Sequence, residues 1–202
     1  MPVSTWTAIL SPPQANEVLG RRSFHVSAGH FPCVRLDETI TAPAIRGEVH
    51  FETELALLIG ESLSNATPEQ AKRAVIGLGL ALDLTLRDVQ SKLKDKGHPW
   101  EVAKGFDGAC PLSSFVKPGA LPDWDALSFS LSINDELRQN GNTADMLFSM
   151  TELLVEMSRH FTLKPGDVIL TGTPAGVGIL PRGATLHLNL ADALQVTTQV
   201  AP

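Results

Sequence analysis

Long apolar runs are missing from this 202-residue chain; Glu54 and Asp83 interrupt the longest ones, so no stretch reaches the length of a membrane span. An excess of positive charge is missing as well. The formal net charge is −6, which speaks against a nucleic-acid surface. Cysteine is scarce: Cys33 and Cys110 are the only two, and they form no closely spaced Cys pair, so a zinc site is not expected. The two could form a disulfide, but thiols of cytosolic chains are more often free, and the cytoplasm is the expected compartment. Met1 to Ile9 holds no basic residue and does not read as a secretory leader. No internal repeat and no low-complexity tract is found. The glycine-rich stretch Thr171 to Gly178 lacks the Gly-Lys-Ser/Thr ending of a phosphate-binding loop.

What is present supports a folded core. Hydrophobic residues make up 43% and charged residues 19%, so disorder is not expected. The most informative segment runs from Val49 to Ile59. Read as a strand, it places Phe51, Thr53, Leu55, Leu57 and Ile59 on one face and His50, Glu52 and Glu54 on the other. A second run alternates in the same way. Leu78, Leu80, Leu82, Leu84 and Leu86 share a face; Gly77, Gly79, Ala81, Asp83 and Thr85 share its opposite. Glu52 and Glu54 admit a plain reading as the solvent side of a half-exposed strand. Asp83 argues otherwise, because an aspartate among leucines in a strand is disfavoured by propensity and by burial. Buried carboxylates need a partner or a cation, and three converging would make an oxygen-donor site for Mg²⁺, Mn²⁺ or Ca²⁺. Such a metal would leave positions open for a chelating 2-keto acid and act as a Lewis acid toward a developing enolate. Lys104 could neutralise an oxyanion there, or lie on the surface as a solvated lysine. The 171–178 loop could present N–H groups and the hydroxyls of Thr171 and Thr173 to a carboxylate, or be a plain turn.

Residues 1–46 are poorly patterned and punctuated by Pro12-Pro13, Gly20, Gly29, Pro32 and Pro43. From Gly47 the pattern is regular. Strands are expected over 48–59, 76–86 and 127–133, with a tight hairpin turn at Asn134-Asp135, a short strand over 168–170 and a last strand marked by Leu186, Leu188 and Leu190. Thr67-Pro68-Glu69-Gln70 and Ser149-Met150-Thr151-Glu152 read as capping boxes opening helices. A further helix over Arg87 to Lys96, capped by Thr85 or the residues after it, would close at Gly97, and 98–111 reads as a loop. The sum is a β-rich α+β architecture.

Four ordered stretches carry a resemblance: Gly47 to Leu55, Ala81 to Gln90, Pro99 to Asp107, and Leu170 to Pro174. Together they resemble the fumarylacetoacetate hydrolase family, and most of all its small single-domain acylpyruvase and oxaloacetate tautomerase or decarboxylase branch. The resemblance spans about residues 44–200. It implies a mixed β-sandwich roll, a homodimer, and Mg²⁺ or Mn²⁺ on Glu52, Glu54 and Asp83. It also implies that Lys104 faces the substrate as a catalytic residue, that Arg87 and Gln90 border the pocket, and that Thr173 contacts the substrate carboxylate. The expected domain division is an atypical segment 1–46 in place of the usual lid, followed by a catalytic domain over 47–202.

One departure stands out. Small members of the family carry an Asn-Tyr-x-x-His-x-x-Glu lid and a Phe-x-Lys-Pro element, and the lid His and Glu activate the attacking water. This chain has no His-x-x-Glu pair in that region, the counterpart of the second element is Phe24-His25-Val26-Ser27, and the lid position falls near Ser11-Pro12-Pro13. His25 and His30 are the remaining candidates for a base, or are incidental polar residues. The first expectation is therefore a metal-dependent hydrolase cleaving a C–C bond in acylpyruvate-type 2,4-diketo acids. The alternatives are oxaloacetate tautomerisation or decarboxylation on the same site, or a metal-binding member that has lost catalysis.

Overall fold

The computed structural model describes residues 33–43 and 47–202 in full, and the backbone of 5–10, 18–19 and 22–28. In chain order the first strands are β1 (Thr5–Leu10), β2 (Val18–Leu19), β3 (Arg22–Ala28), β4 (Cys33–Arg35), β5 (Val49–Phe51), β6 (Thr53–Ile59), β7 (Val75–Leu82) and β8 (Thr85–Leu86). They are followed by β9 (Cys110–Leu112), β10 (Ser128–Ile133), β11 (Glu136–Asn142), β12 (Val168–Leu170), β13 (Gly178–Ile179), β14 (Thr185–Leu190) and β15 (Leu194–Gln199). The helices are α1 (Pro68–Ala74), α2 (Arg87–Asp95), α3 (Glu101–Lys104) and α4 (Met150–His160). An eight-stranded sheet runs β2-β3-β1-β12-β6-β7-β9-β4, a four-stranded sheet β11-β10-β14-β15, and a three-stranded sheet β13-β5-β8. Among the described strands, β1/β3 and β4/β9 pair in parallel and the other pairs are antiparallel. This is the strand-rich α+β architecture that the pattern implies. No helix among the described residues is long and apolar enough to cross a membrane.

Local signals explain most of these elements. Both capping boxes form: Thr67 and Gln70 bond reciprocally at the start of α1, and Ser149 and Glu152 at the start of α4. Met150, Leu153, Leu154 and Met157 are the buried face of α4. Asn134 and Asp135 both adopt positive φ (49° and 65°), the conformation that a two-residue hairpin demands. The alternation of β7 separates two packing faces. Leu78, Leu80, Leu82, Leu84 and Leu86 enter the main core, while Ala81 joins Ala56, Cys110, Val168 and Leu170 in a smaller cluster.

Two expectations change in an informative way. The expected strand over 48–59 is two strands, β5 and β6, in different sheets, and the break falls at Glu52. The expected strand over 76–86 is likewise β7 and β8, broken at Asp83-Leu84. The two breaks face each other, because β5 pairs with β8, β6 pairs with β7, and the Asp83 N–H donates to the Glu52 carbonyl (2.8 Å). The chain thus leaves one sheet for another at the carboxylates themselves.

The stretch 98–111 is not all loop: it contains α3 and leads into β9. No side chain caps α2, whose N-cap is Leu86. Thr85 cannot serve as the cap, since it lies in β8 and its hydroxyl accepts from Lys104. The segment before residue 33 supplies three strands that its sequence pattern does not announce, with β1 antiparallel to β12 and His25 within β3. The positions Ser11, Pro12, Pro13 and His30 lie outside the described residues.

Cys33 and Cys110 are free thiols opposite one another across β4 and β9, the first exposed and the second buried. A hydrogen bond from Cys110 lowers the Cys33 pKa to about 7, although partial burial opposes this. The thiolate is the reactive form. Alkylation of Cys33 is therefore expected to rise through a midpoint near pH 7, and Cys110→Ala to move that midpoint back toward 9.0. Mass-spectrometric labelling rates against pH check this, and an unmoved midpoint in the variant removes the hydrogen bond as the cause.

Candidate active site

Glu52, Glu54 and Asp83 are buried, at 8%, 1% and 4% exposure. Their carboxylate oxygens lie within 4.8 Å of one another. Glu52 sits at the β5/β6 break, Glu54 on β6 opposite Ala81, and Asp83 just beyond β7. Lys104, from the end of α3, reaches into this group with only 1% exposure. Its Nζ donates to Asp83 Oδ2 (2.6 Å), Thr85 Oγ1 (2.6 Å) and Glu52 Oε2 (3.1 Å), so all three ammonium hydrogens have acceptors. The surface reading of Lys104 is thereby excluded. Arg87, at the start of α2, donates from Nη2 to Glu52 Oε1 and from Nη1 to Gln90 Oε1 (2.8 Å).

Electrostatics follow from this crowding. Burial tends to lower the Lys104 pKa, but the Asp83 and Glu52 carboxylates and the hydrogen bond to Asp83 outweigh it and hold the group above its ordinary value. Glu54 moves the other way for a carboxylate. Burial, with Asp83 and Glu52 beside it, pushes its pKa well above the usual range, against the pull of Lys104 and of the Gly172 N–H.

The 171–178 stretch comes to the same place. Gly172 has φ +93°, a left-handed conformation that only glycine adopts freely, and its N–H donates to Glu54 Oε2 (2.6 Å). Thr171 instead points its hydroxyl at the Leu55 carbonyl (3.2 Å), away from any ligand role. Thr173 Oγ1 accepts from Gln139 Nε2 (2.8 Å). The loop rests directly on β11: at Gly176 (φ +100°) a Cβ would stand 2.1 Å from the Arg138 carbonyl oxygen.

The structure thus brings Glu52, Glu54, Asp83 and Lys104 into one cluster, attaches Arg87 and Gln90 through Glu52, and connects Thr173 through Gln139. Sequence reasoning missed Thr85 and Gln139. Thr85 was legible, since it shares the Asp83 face by alternation. Gln139 was not, because its role depends on a strand and a loop that meet only in the folded chain. The loop N–H groups were expected at a substrate carboxylate, whereas the Gly172 N–H meets Glu54.

The donor chemistry fits a hard divalent cation. All three candidate ligands are carboxylates, their oxygens are close enough to share one ion, and one buried ammonium leaves their charge in excess. Fold and cluster define a strand-rich protein with an oxygen-donor centre that could bind a divalent metal. The model for the C-terminal domain of fumarylacetoacetate hydrolase matches residues 13–201, and the chain belongs to that family. It is 49% identical over 166 residues to the oxaloacetate tautomerase YcgM of Escherichia coli, covering 82% of this chain and 75% of that protein. It is 40% identical over 162 residues to the mitochondrial oxaloacetate tautomerase FAHD1 of Homo sapiens, covering 80% and 73%. Among solved structures, a fumarylacetoacetate hydrolase family protein from Yersinia pestis is similar at a TM-score of 0.83 with 38% identity, covering 98% of this chain and 93% of that one. Fumarylpyruvate hydrolase from Pseudomonas aeruginosa, in complex with Mn²⁺ and pyruvate, is similar at 0.75 with 32% identity, covering 81% and 70%.

Proposed function

We propose that this chain is a divalent-cation-dependent oxaloacetate tautomerase, interconverting the keto and enol forms of its substrate. The observation that carries the reading is the carboxylate trio with Lys104 inside it, in a chain closely similar to an E. coli oxaloacetate tautomerase. In this reading Glu52, Glu54 and Asp83 hold Mg²⁺ or Mn²⁺. Once bound, that ion supplies Lewis acidity toward charge gathering on the substrate's ketone oxygen.

The protein's own groups do the rest. Tautomerisation moves a proton between C3 and the ketone oxygen; no carbon–carbon bond breaks and no water is consumed. Lys104 keeps a protonated, desolvated ammonium beside the reacting oxygens and is the catalytic residue of the proposal. Oxaloacetate is a dianion, so a second cationic group is useful, and Arg87, oriented by Glu52 and Gln90, supplies it. Thr173 binds a substrate carboxylate. A reaction that spends no water does not need the lid His-x-x-Glu pair, which is missing from residues 1–46 of this sequence. Assembly as a homodimer belongs to the same proposal, and a monomer mass in light scattering would remove that part.

The second reading is the acylpyruvate hydrolase, which the similarity to the Mn²⁺- and pyruvate-bound fumarylpyruvate hydrolase favours. It requires a base for water from residues other than that pair. The deciding experiment follows the ultraviolet absorbance of enol-oxaloacetate and of acetylpyruvate, with Mg²⁺ or Mn²⁺ and with chelator. Chelator-sensitive loss of enol-oxaloacetate alone supports the tautomerase. Chelator-sensitive cleavage of acetylpyruvate supports the hydrolase and makes His25 and His30 the next residues to substitute. Bound metal without turnover of either substrate defeats both readings and leaves a metal-binding member without catalysis.

The loop contributes a separate expectation. Gly176→Ala forces a Cβ onto the Arg138 carbonyl at positive φ, costing at least about 1 kcal/mol and displacing the Thr173 segment from β11. The variant should melt lower and show a raised KM for oxaloacetate with Mn²⁺ affinity kept. A loss of metal affinity as large as the change in KM would show that the loop is not a separate substrate-binding element.

A further inference from the structure

Gln139 sits on β11 with 1% of its surface exposed, and its amide joins two parts of the site that are far apart in the chain. Its Oε1 accepts from the N–H of Thr53, the residue between Glu52 and Glu54 (2.9 Å). Its Nε2 donates to Thr173 Oγ1 (2.8 Å) and to the Pro174 carbonyl (3.0 Å). The orientation of this amide is forced. The Thr53 N–H can only donate and the Pro174 carbonyl can only accept, so oxygen must face the first and nitrogen the second. Both amide hydrogens are then committed, one of them to the Thr173 oxygen.

A hydroxyl that accepts on one side has its hydrogen left for another direction. Since Gln139 Nε2 offers no lone pair, the Thr173 hydrogen cannot point at it. We propose that Gln139 is a positioning residue that presets Thr173 as a hydrogen-bond donor to the substrate carboxylate and fixes this donor relative to the Glu52–Glu54 strand. The proposal rests on the reading above that Thr173 binds that carboxylate, and it adds the reason the hydroxyl presents a hydrogen rather than a lone pair. With an acceptor at 139 the hydroxyl would turn inward and show the anion its lone pairs.

The test is a double-substitution cycle on pyruvate binding in the presence of Mn²⁺, measured by calorimetry, alongside KM and kcat for oxaloacetate. Gln139→Met is expected to weaken pyruvate binding and raise KM on the order of tenfold, the size of a lost hydrogen bond to a charged group, with Mn²⁺ affinity within about threefold. In a Thr173→Val background the same substitution should change binding by less than about twofold, since the group it acts through is gone. Thr173→Ser, which keeps the hydroxyl, should bind nearly as wild type does. Gln139→Glu keeps an acceptor for Thr53 and so guards against a misfolded methionine variant; it should bind pyruvate less well than Gln139→Met. Additive effects of Gln139→Met and Thr173→Val, or equal losses of Mn²⁺ and pyruvate affinity in Gln139→Met, overturn the proposal. Absence of oxaloacetate turnover in the wild-type protein would sink the tautomerase reading alone, because the pyruvate cycle still reports whether the two residues are coupled.

Discussion

Replacing Lys104 with methionine is expected to destabilise the metal-free protein by about 3–5 kcal/mol, the usual cost of leaving buried charge without its partner. Three carboxylates would then face one another at low exposure, with the Arg87 guanidinium still on Glu52 but without the ammonium that bonds both Glu52 and Asp83. The effect has a diagnostic second half. Mn²⁺ should restore most of the melting temperature of Lys104→Met, because a divalent ion neutralises the same charges, while oxaloacetate turnover should stay at least about a hundredfold down. The pH dependence has a definite sign. The folded-state pKa of Lys104 lies above 10.5, so the stabilisation is complete below that value and is lost only as pH climbs through the higher folded value. Thermal melts with chelator and with Mn²⁺, paired with turnover, check all of this. A metal-free variant as stable as wild type would mean that the ammonium is not what balances the cluster.

Asp83→Asn is expected to behave in the opposite way. Removing one of three ligand charges should weaken Mn²⁺ binding by at least about tenfold and lower turnover in step, with partial recovery at high metal concentration. Yet the metal-free protein should be no less stable than wild type, because the substitution relieves repulsion felt by Glu54, and the asparagine oxygen can still accept from Lys104. Mn²⁺ titration combined with melts in chelator separates the two effects. Unchanged Mn²⁺ affinity would remove Asp83 from the ligand set. The contrast between these variants is more informative than either alone. One is repaired structurally by metal but not functionally; the other folds well without metal and binds it poorly.

Much of this was legible in the sequence, and the reason differs from residue to residue. The capping boxes at Thr67 and Ser149 and the Asn134-Asp135 turn are local chemistry, so four adjacent residues were enough. Glu52, Glu54 and Asp83 were visible because charge inside an apolar alternation is costly. The breaks at Glu52 and Asp83 were not visible. Periodicity continues through a strand that changes sheets, and only the pairing partners reveal the switch. Thr85 was misread as a helix cap because its hydroxyl suits either job; the buried ammonium of Lys104 took it. Gln139 gave no signal, since an isolated glutamine in an exposed-looking run ELRQNGN carries no pattern. The strands before residue 33 were obscured because they are short and lie between Pro2, Pro12-Pro13, Gly20, Gly29 and Pro32, which leave no long periodic segment.

The bonds that close the site also bear on when it comes into being. Thr53 and Gln139 are 86 residues apart, Glu54 and Gly172 are 118 apart, and Thr171 and Leu55 are 116 apart. Contacts so distant along the chain demand large loop closures before they return any energy, which slows their formation. Helices α1 and α4, with their self-contained caps, have no such delay. During refolding, the far-ultraviolet helix signal should therefore recover ahead of ligand-binding capacity, and a ribosome-bound nascent chain lacking residues beyond about 170 would have the acidic trio without the loop that completes it.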